Sequence, residues 1–168
     1  ENQIEFIKNI SKTTPNDFQL LVKEHSHAIG NRDSSFYKSL KEIPNLVLLH
    51  PNENSRSAIR KASLVISNTG TSSLEAVILG VPAVTATKMF FNKIMLEENF
   101  DSIDDNVKQL LTKMQIINKS TIIKYLTKIY EGSYPGNCGD FQTDKSVLNI
   151  SNIQKLKISF QSIIKSIY

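Results

Sequence analysis

The chain has 168 residues, 40% of them hydrophobic and 8% aromatic, with no tryptophan, one cysteine and a formal charge of +4. That is enough apolar material for one core built from Ile, Leu and Val, and Cys138 alone excludes an internal disulfide framework and points to a reducing, cytoplasmic compartment. No apolar run nears the roughly 20 residues of a membrane span, and the scattered Lys and Arg argue against nucleic acid while suiting anionic small molecules or peripheral attachment at the inner face of the cell membrane.

Apolar spacing at Ile4, Phe6, Ile7 and Ile10 predicts a helix to about Lys12, ended by the turn Thr13-Thr14-Pro15-Asn16-Asp17. Phe18–Lys23 reads as a buried strand, and the polar run from Glu24 to Arg32 as the loop at its C-terminal end. Asp33 or Ser34 is expected to cap a helix through Phe36, Tyr37 and Leu40 that Pro44-Asn45 terminates. Leu46–Leu49 is the next strand, His50–Asn54 its exit loop, and Ser55 the expected cap of a short helix carrying Ile59 and Ala62. A strand Leu64–Ile66, the Gly70 turn, a helix Ser72–Leu79 and a strand Ala83–Ala86 follow.

This short-period alternation, with strands apolar throughout, indicates an α/β fold: a Rossmann-like doubly wound parallel sheet with helices on both faces. Ligands of such sheets bind outside the carboxyl ends of the strands, where the polar loops fall. The expectation is one domain over residues 1–168, with a sheet core at 1–92 and a mainly helical tail at 93–168. In that tail Val107, Leu110, Leu111 and Met114 suggest one helix, Ile122 to Tyr130 a second, and Ile150–Ile167 a last. Asp104-Asp105 reads as a helix start, where acids complement the dipole. Because a doubly wound domain normally opens with a strand, the helical start is read as part of a longer two-domain protein.

The candidate chemistry centres on Ser67-Asn68-Thr69-Gly70-Thr71-Ser72-Ser73-Leu74-Glu75. Small side chains let a ligand approach the backbone, and free N–H groups with the helix dipole favour an anion. A capping box between Ser72 and Glu75 explains part of the pattern without any ligand. Five hydroxyls and a glycine at a strand exit exceed what a cap needs and suit phosphate or ribose oxygens. His25 is a candidate donor to a phosphate or leaving group, and Glu24 is placed to orient it or to accept from a sugar hydroxyl. Arg32 and the pair Phe36-Tyr37 are read as surface and packing residues, and Lys88–Asn92 as a candidate cleft border. Three His without an acidic cluster argue against zinc; no metal and no cofactor is expected.

Together, Val22-Lys23-Glu24-His25, Gly30-x-Arg32, Phe36-Tyr37-x-x-Leu40, Pro44-Asn45-Leu46, Asn54-Ser55, Ser67-x-Thr69-Gly70-Thr71 and Glu75-Ala76-x-x-x-Gly80-x-Pro82 resemble the C-terminal half of capsule polysaccharide biosynthesis proteins. These are bacterial glycosyltransferases of the GT-B architecture, two facing Rossmann-like domains, and the resemblance covers about Phe18 to Asn92. It implies a metal-independent transferase whose donor-binding domain holds a nucleotide-activated sugar, CMP-Kdo-like in some relatives. The other domain would supply the glycan or glycolipid acceptor and the catalytic base. Carried over, phosphate contacts fall on His25, Ser67, Thr69, Thr71, Ser72 and Ser73, around Gly70, with Glu75 near the ribose or sugar. Ser26 stands where those relatives have Pro. A nucleotide-sugar epimerase of similar architecture and a non-catalytic nucleotide-binding regulatory module remain the alternatives.

Overall fold

A computed structural model describes residues 3–25, 28–96, 107–112, 118–139 and 144–167. The chain folds as two compact units, Glu1–Ile123 and Lys124–Tyr168. The break falls inside a helix, Lys119–Glu131.

In the first unit, α1 (Gln3–Thr13), β1 (Leu20–Lys23), α2 (Ser34–Lys41), β2 (Leu46–Leu49), α3 (Ser55–Lys61), β3 (Val65–Ser67), α4 (Ser72–Ile78), β4 (Ala83–Thr85) and α5 (Val107–Thr112) follow one another. A 3₁₀ turn, Asn92–Ile94, lies after β4, and α6 (Lys119–Glu131) crosses into the second unit. Met114, Asp104 and Asp105 lie outside the described residues.

The helix starts follow local chemistry. Asp33 caps α2, its carboxylate accepting from the Phe36 amide at 3.0 Å and from the Ser35 hydroxyl at 2.6 Å. The cap of α3 is Asn54, not Ser55: the Asn54 amide oxygen accepts from the Ser57 N–H at 3.2 Å. Asn45, at φ 57°, turns the chain from α2 into β2, and its carbonyl accepts from the Leu20 amide at 3.0 Å. Gly80, at φ 80°, closes α4 in a Schellman motif, with Val81 N–H on the Ala76 carbonyl and Gly80 N–H on that of Val77. Pro82 then prevents the helix from resuming.

The strands pair in parallel, Leu20 with Leu46 through Lys23 with Leu49, and Val65 with Ala83 through Ser67 with Thr85. Among the described residues these are two separate two-stranded ladders. The expectation of strands covered on both faces holds for β4, whose three residues are all buried. It fails for the other pair: Leu21 and Val47 are register partners, and both are exposed. Helix α4 packs on β3 and β4, α2 on β2, and α3 against α4. Val84 and Leu110 bury against Leu64, Ile66 and Leu96, so α5 closes the core over β4. Among the described residues no helix is long and apolar enough to cross a membrane.

The second unit holds the end of α6, a turn-rich loop, a 3₁₀ turn at Lys145–Leu148 and α7 (Ile150–Ile167). Its loop is tied to α7 by side chains. The Ser159 hydroxyl donates to the Pro135 carbonyl at 2.6 Å, and Asn152 exchanges hydrogen bonds with the Asn137 backbone at 2.7 and 2.9 Å. Gly136 adopts φ 129°, a conformation that L side chains rarely enter. Cys138 is exposed, and Asp140 lies outside the described residues.

Candidate functional site

The turn between β3 and α4 stands at the C-terminal end of its strand pair. Its frame is a set of hydrogen bonds from residues that the sequence marks as ligand contacts. The Ser67 hydroxyl lies 2.6 Å from that of Ser73 and 3.1 Å from the Gly70 carbonyl. Ser73 is fully buried and donates to the Val84 carbonyl at 2.9 Å. Ser67 and Ser73 therefore link β3, α4 and β4.

The exposed part is Asn68-Thr69-Gly70-Thr71. Thr71, not Ser72, is the N-cap of α4, and it makes no side-chain cap hydrogen bond. The capping box between Ser72 and Glu75 is thus out of register by one residue. Among the described residues, Thr71 gives the amides of the first turn no side-chain cap. The Gly70 carbonyl faces Ser67, and in a planar trans peptide the following N–H points the opposite way, so the Thr71 amide is directed away from Ser67. Ser72 and Glu75 are half-buried on the first turn of α4.

Beneath the turn lies a polar network with no local sequence signal. Asn92, buried, donates from Nδ2 to the Thr85 hydroxyl at 2.7 Å and accepts from the Met89 amide at Oδ1. The Thr85 hydroxyl donates to the Thr87 carbonyl at 2.9 Å, and that of Thr87 to the Asn68 carbonyl at 2.8 Å. The Ala86 amide completes the strap on the Ser67 carbonyl at 2.8 Å. Lys88 and Phe90 remain exposed, while Phe91 is fully buried beside Asn92.

The loop after β1 is built around Glu24, whose side chain is 9% exposed. One carboxylate oxygen accepts from the Tyr37 hydroxyl at 2.8 Å, and the other faces Arg32 Nε at 3.4 Å. The Arg32 guanidinium lies over the Phe36 ring, 4.4 Å from its centre, and Phe36 and Tyr37 meet edge to face at 5.5 Å. The hydrogen bond to Glu24, and then burial, raise the Tyr37 phenol above its ordinary value. Glu24, expected to orient His25 or to accept from a sugar hydroxyl, is held in its loop by Tyr37 and Arg32. Its partners Arg32 and Tyr37, both packed on Phe36, are joined by tertiary placement that spacing does not announce.

His25 is exposed at the end of that strand, its carbonyl accepting from the Ala28 amide at 2.9 Å. Lys23 reaches from β1 to the Pro51 carbonyl at 2.8 Å, clipping the exit loop of β2. In that loop His50 Nδ1 accepts from the Asn52 amide at 3.2 Å. Ser26 and His27 lie outside the described residues. Among the described residues no group of three or more His, Cys, Asp or Glu is placed to hold a metal ion.

The Asp33 cap carries a pH signature. Its hydrogen bond from Ser35, then that from the Phe36 amide, lower the Asp33 carboxyl below its ordinary value. A folded value below the unfolded one gives stabilisation that is present above the unfolded carboxyl pKa of about 3.9 and lost as pH falls through the folded value. Asn caps as well as Asp but does not titrate. Thermal melts of Asp33→Asn should match wild type at pH 7 and fall less steeply below about pH 4. An identical acid profile would remove the cap from this role.

Fold and turn together define an α/β protein with parallel strand pairs, carrying its polar loops at the strands' carboxyl ends. Compared with protein-family models, curated proteins and solved structures, the chain has no match.

Proposed function

We infer that the chain is the donor-binding domain of a bacterial surface-carbohydrate glycosyltransferase, with the phosphates of a nucleotide-activated sugar against the Asn68–Ser73 turn. In this assignment the two strand pairs belong to one doubly wound parallel sheet, the C-terminal half of a GT-B enzyme. A companion domain brings the glycan or glycolipid acceptor and the catalytic base.

Gly70 is the observation that carries it. Its φ lies outside the left-handed region, unlike Gly30, Gly80 and Gly136. An added Cβ would find Ser72 Oγ at 3.4 Å and nothing closer. The fold therefore tolerates a side chain there, and the bare backbone has another use. Close approach of an anion to the Thr71 and Ser72 amides, at a helix start that Thr71 does not cap, is such a use.

The residue roles then separate. Thr69 and Thr71 offer hydroxyls, and the Thr71 and Ser72 amides face the phosphate. Ser67 and Ser73 hold the turn, Glu75 stands nearer the ribose or sugar, and His25 contributes from the β1 loop. The leaving phosphate is stabilised by fixed N–H donors and the helix dipole.

NMR titration of the chain with CMP, UDP and GDP tests this. One nucleotide should shift the amides of Thr69, Gly70, Thr71 and Ser72. Gly70→Ala should fold with stability within about 0.5 kcal/mol of wild type and bind that nucleotide at least about tenfold more weakly, ~1.4 kcal/mol. Equal affinity in Gly70→Ala, or no response to any of the three, would sink the assignment.

A further inference from the structure

In the second unit, one face of α7 is already occupied. Ser159 is buried under the Pro135 carbonyl, and Asn152, Leu156 and Ile163 flank it on the same side, half-buried. Beside that face runs a second apolar stripe. Ile150, Ile153, Phe160, Ile164 and Ile167 recur at three-, four- and seven-residue spacing over the full helix, and all are between 51% and 75% exposed. Lys157 stands within the stripe, with Lys155 and Lys165 on the polar side. The helix contains no Asp or Glu.

That charge pattern selects among occupants. In a parallel pair with a second copy, Lys157 would face its own counterpart in the seam, and neither helix has an acid to pair with its lysines. A spanning role is excluded by three lysines in 18 residues. Ile158 is exposed outside the stripe, but a helix with its other exposed Ile and Phe side chains on one side and lysines as its only charges fits an anionic lipid surface. There the apolar side chains enter the acyl boundary and long Lys stems carry their ammonium groups up to the phosphates.

We propose that α7 lies in the plane of an anionic bilayer surface, with its Ile150–Ile167 stripe in the lipid and Lys155, Lys157 and Lys165 on the headgroups. The inference is independent of the nucleotide assignment.

The chain contains no tryptophan, so Phe160→Trp supplies a single fluorophore on the stripe. With vesicles of phosphatidylcholine containing phosphatidylglycerol, its emission should move to shorter wavelength and be quenched by lipids spin-labelled on the acyl chain. Vesicles of phosphatidylcholine alone should give little change, and salt at about 0.5 M should release the bound chain. Replacing Lys155, Lys157 and Lys165 by Gln leaves the apolar stripe intact and should weaken binding about fivefold per lysine. Ile153→Ser with Ile164→Ser should abolish it, with circular dichroism reporting the helix. Unchanged emission from the introduced indole with anionic vesicles, or affinity indifferent to the three lysines, would overturn the proposal. So would lipid-free dimerisation in sedimentation that blue-shifts the same fluorophore, which would make the stripe an interface between copies.

Discussion

Phe91→Ala should destabilise the first unit by about 3–5 kcal/mol, a large part of the roughly 5–15 kcal/mol typical of a whole domain. The Phe91 ring is fully buried, at the head of the 3₁₀ turn Asn92–Ile94, and stands edge to face with Phe90 at 5.0 Å. Removing it leaves a cavity next to the segment that brings Asn92 to Thr85. The loss therefore reaches beyond transfer energy: loosening Asn92 takes the acceptor from the half-buried Met89 amide and one of two hydrogen bonds from the buried Thr85 hydroxyl. Phe90 is the internal control. It is 65% exposed, and Phe90→Ala should change stability by no more than about 0.5 kcal/mol. Urea unfolding of the two variants is the measurement, and equal midpoints would mean that Phe91 does not anchor this core.

Gly136→Ala should weaken the second unit by about 2–4 kcal/mol, from two separable causes. The φ of 129° is costly for any residue with a Cβ, and the added carbon would lie 2.6 Å from Leu156 Cδ2 and 3.0 Å from Cγ. Truncating Leu156 relieves the overlap but not the backbone strain. A double-mutant cycle with Leu156→Ala should thus recover part of the loss and leave the rest. Amide hydrogen exchange along α7 reports the effect locally. If Gly136→Ala leaves α7 protection unchanged, the loop does not depend on this conformation.

Most elements are legible in the sequence. Leu46–Leu49 and Ile150–Ile167 have the bounds that apolar periodicity assigns them, because a strand between turn residues and a long amphipathic helix leave few alternatives. Helix ends are harder. Asn54 and Ser55, or Thr71 and Ser72, are adjacent residues of nearly equal capping propensity, and one residue of register decides which hydroxyl or amide is free. The hydrogen bonds of the site are not legible at all. Ser73 reaches Val84, Thr87 reaches Asn68 and Glu24 reaches Tyr37, and such pairings are set by packing, not by local composition. The same five hydroxyls around Gly70 that read as ligand groups prove to be of two kinds, some turned inward as braces and others left on the surface.

Those braces bear on how a ligand would be received. Ser67 and Ser73 fix the turn to β4 through Val84, and Thr87 and Ala86 hold its other side. The conformational entropy of the turn is therefore lost when the domain folds, not when a ligand arrives. An anion bound at the Thr71 amide, as proposed, would meet a pre-organised surface, and its affinity would not be reduced by the ordering of a floppy loop. The same rigidity would limit what the proposed site selects, to ligands that match its shape on arrival.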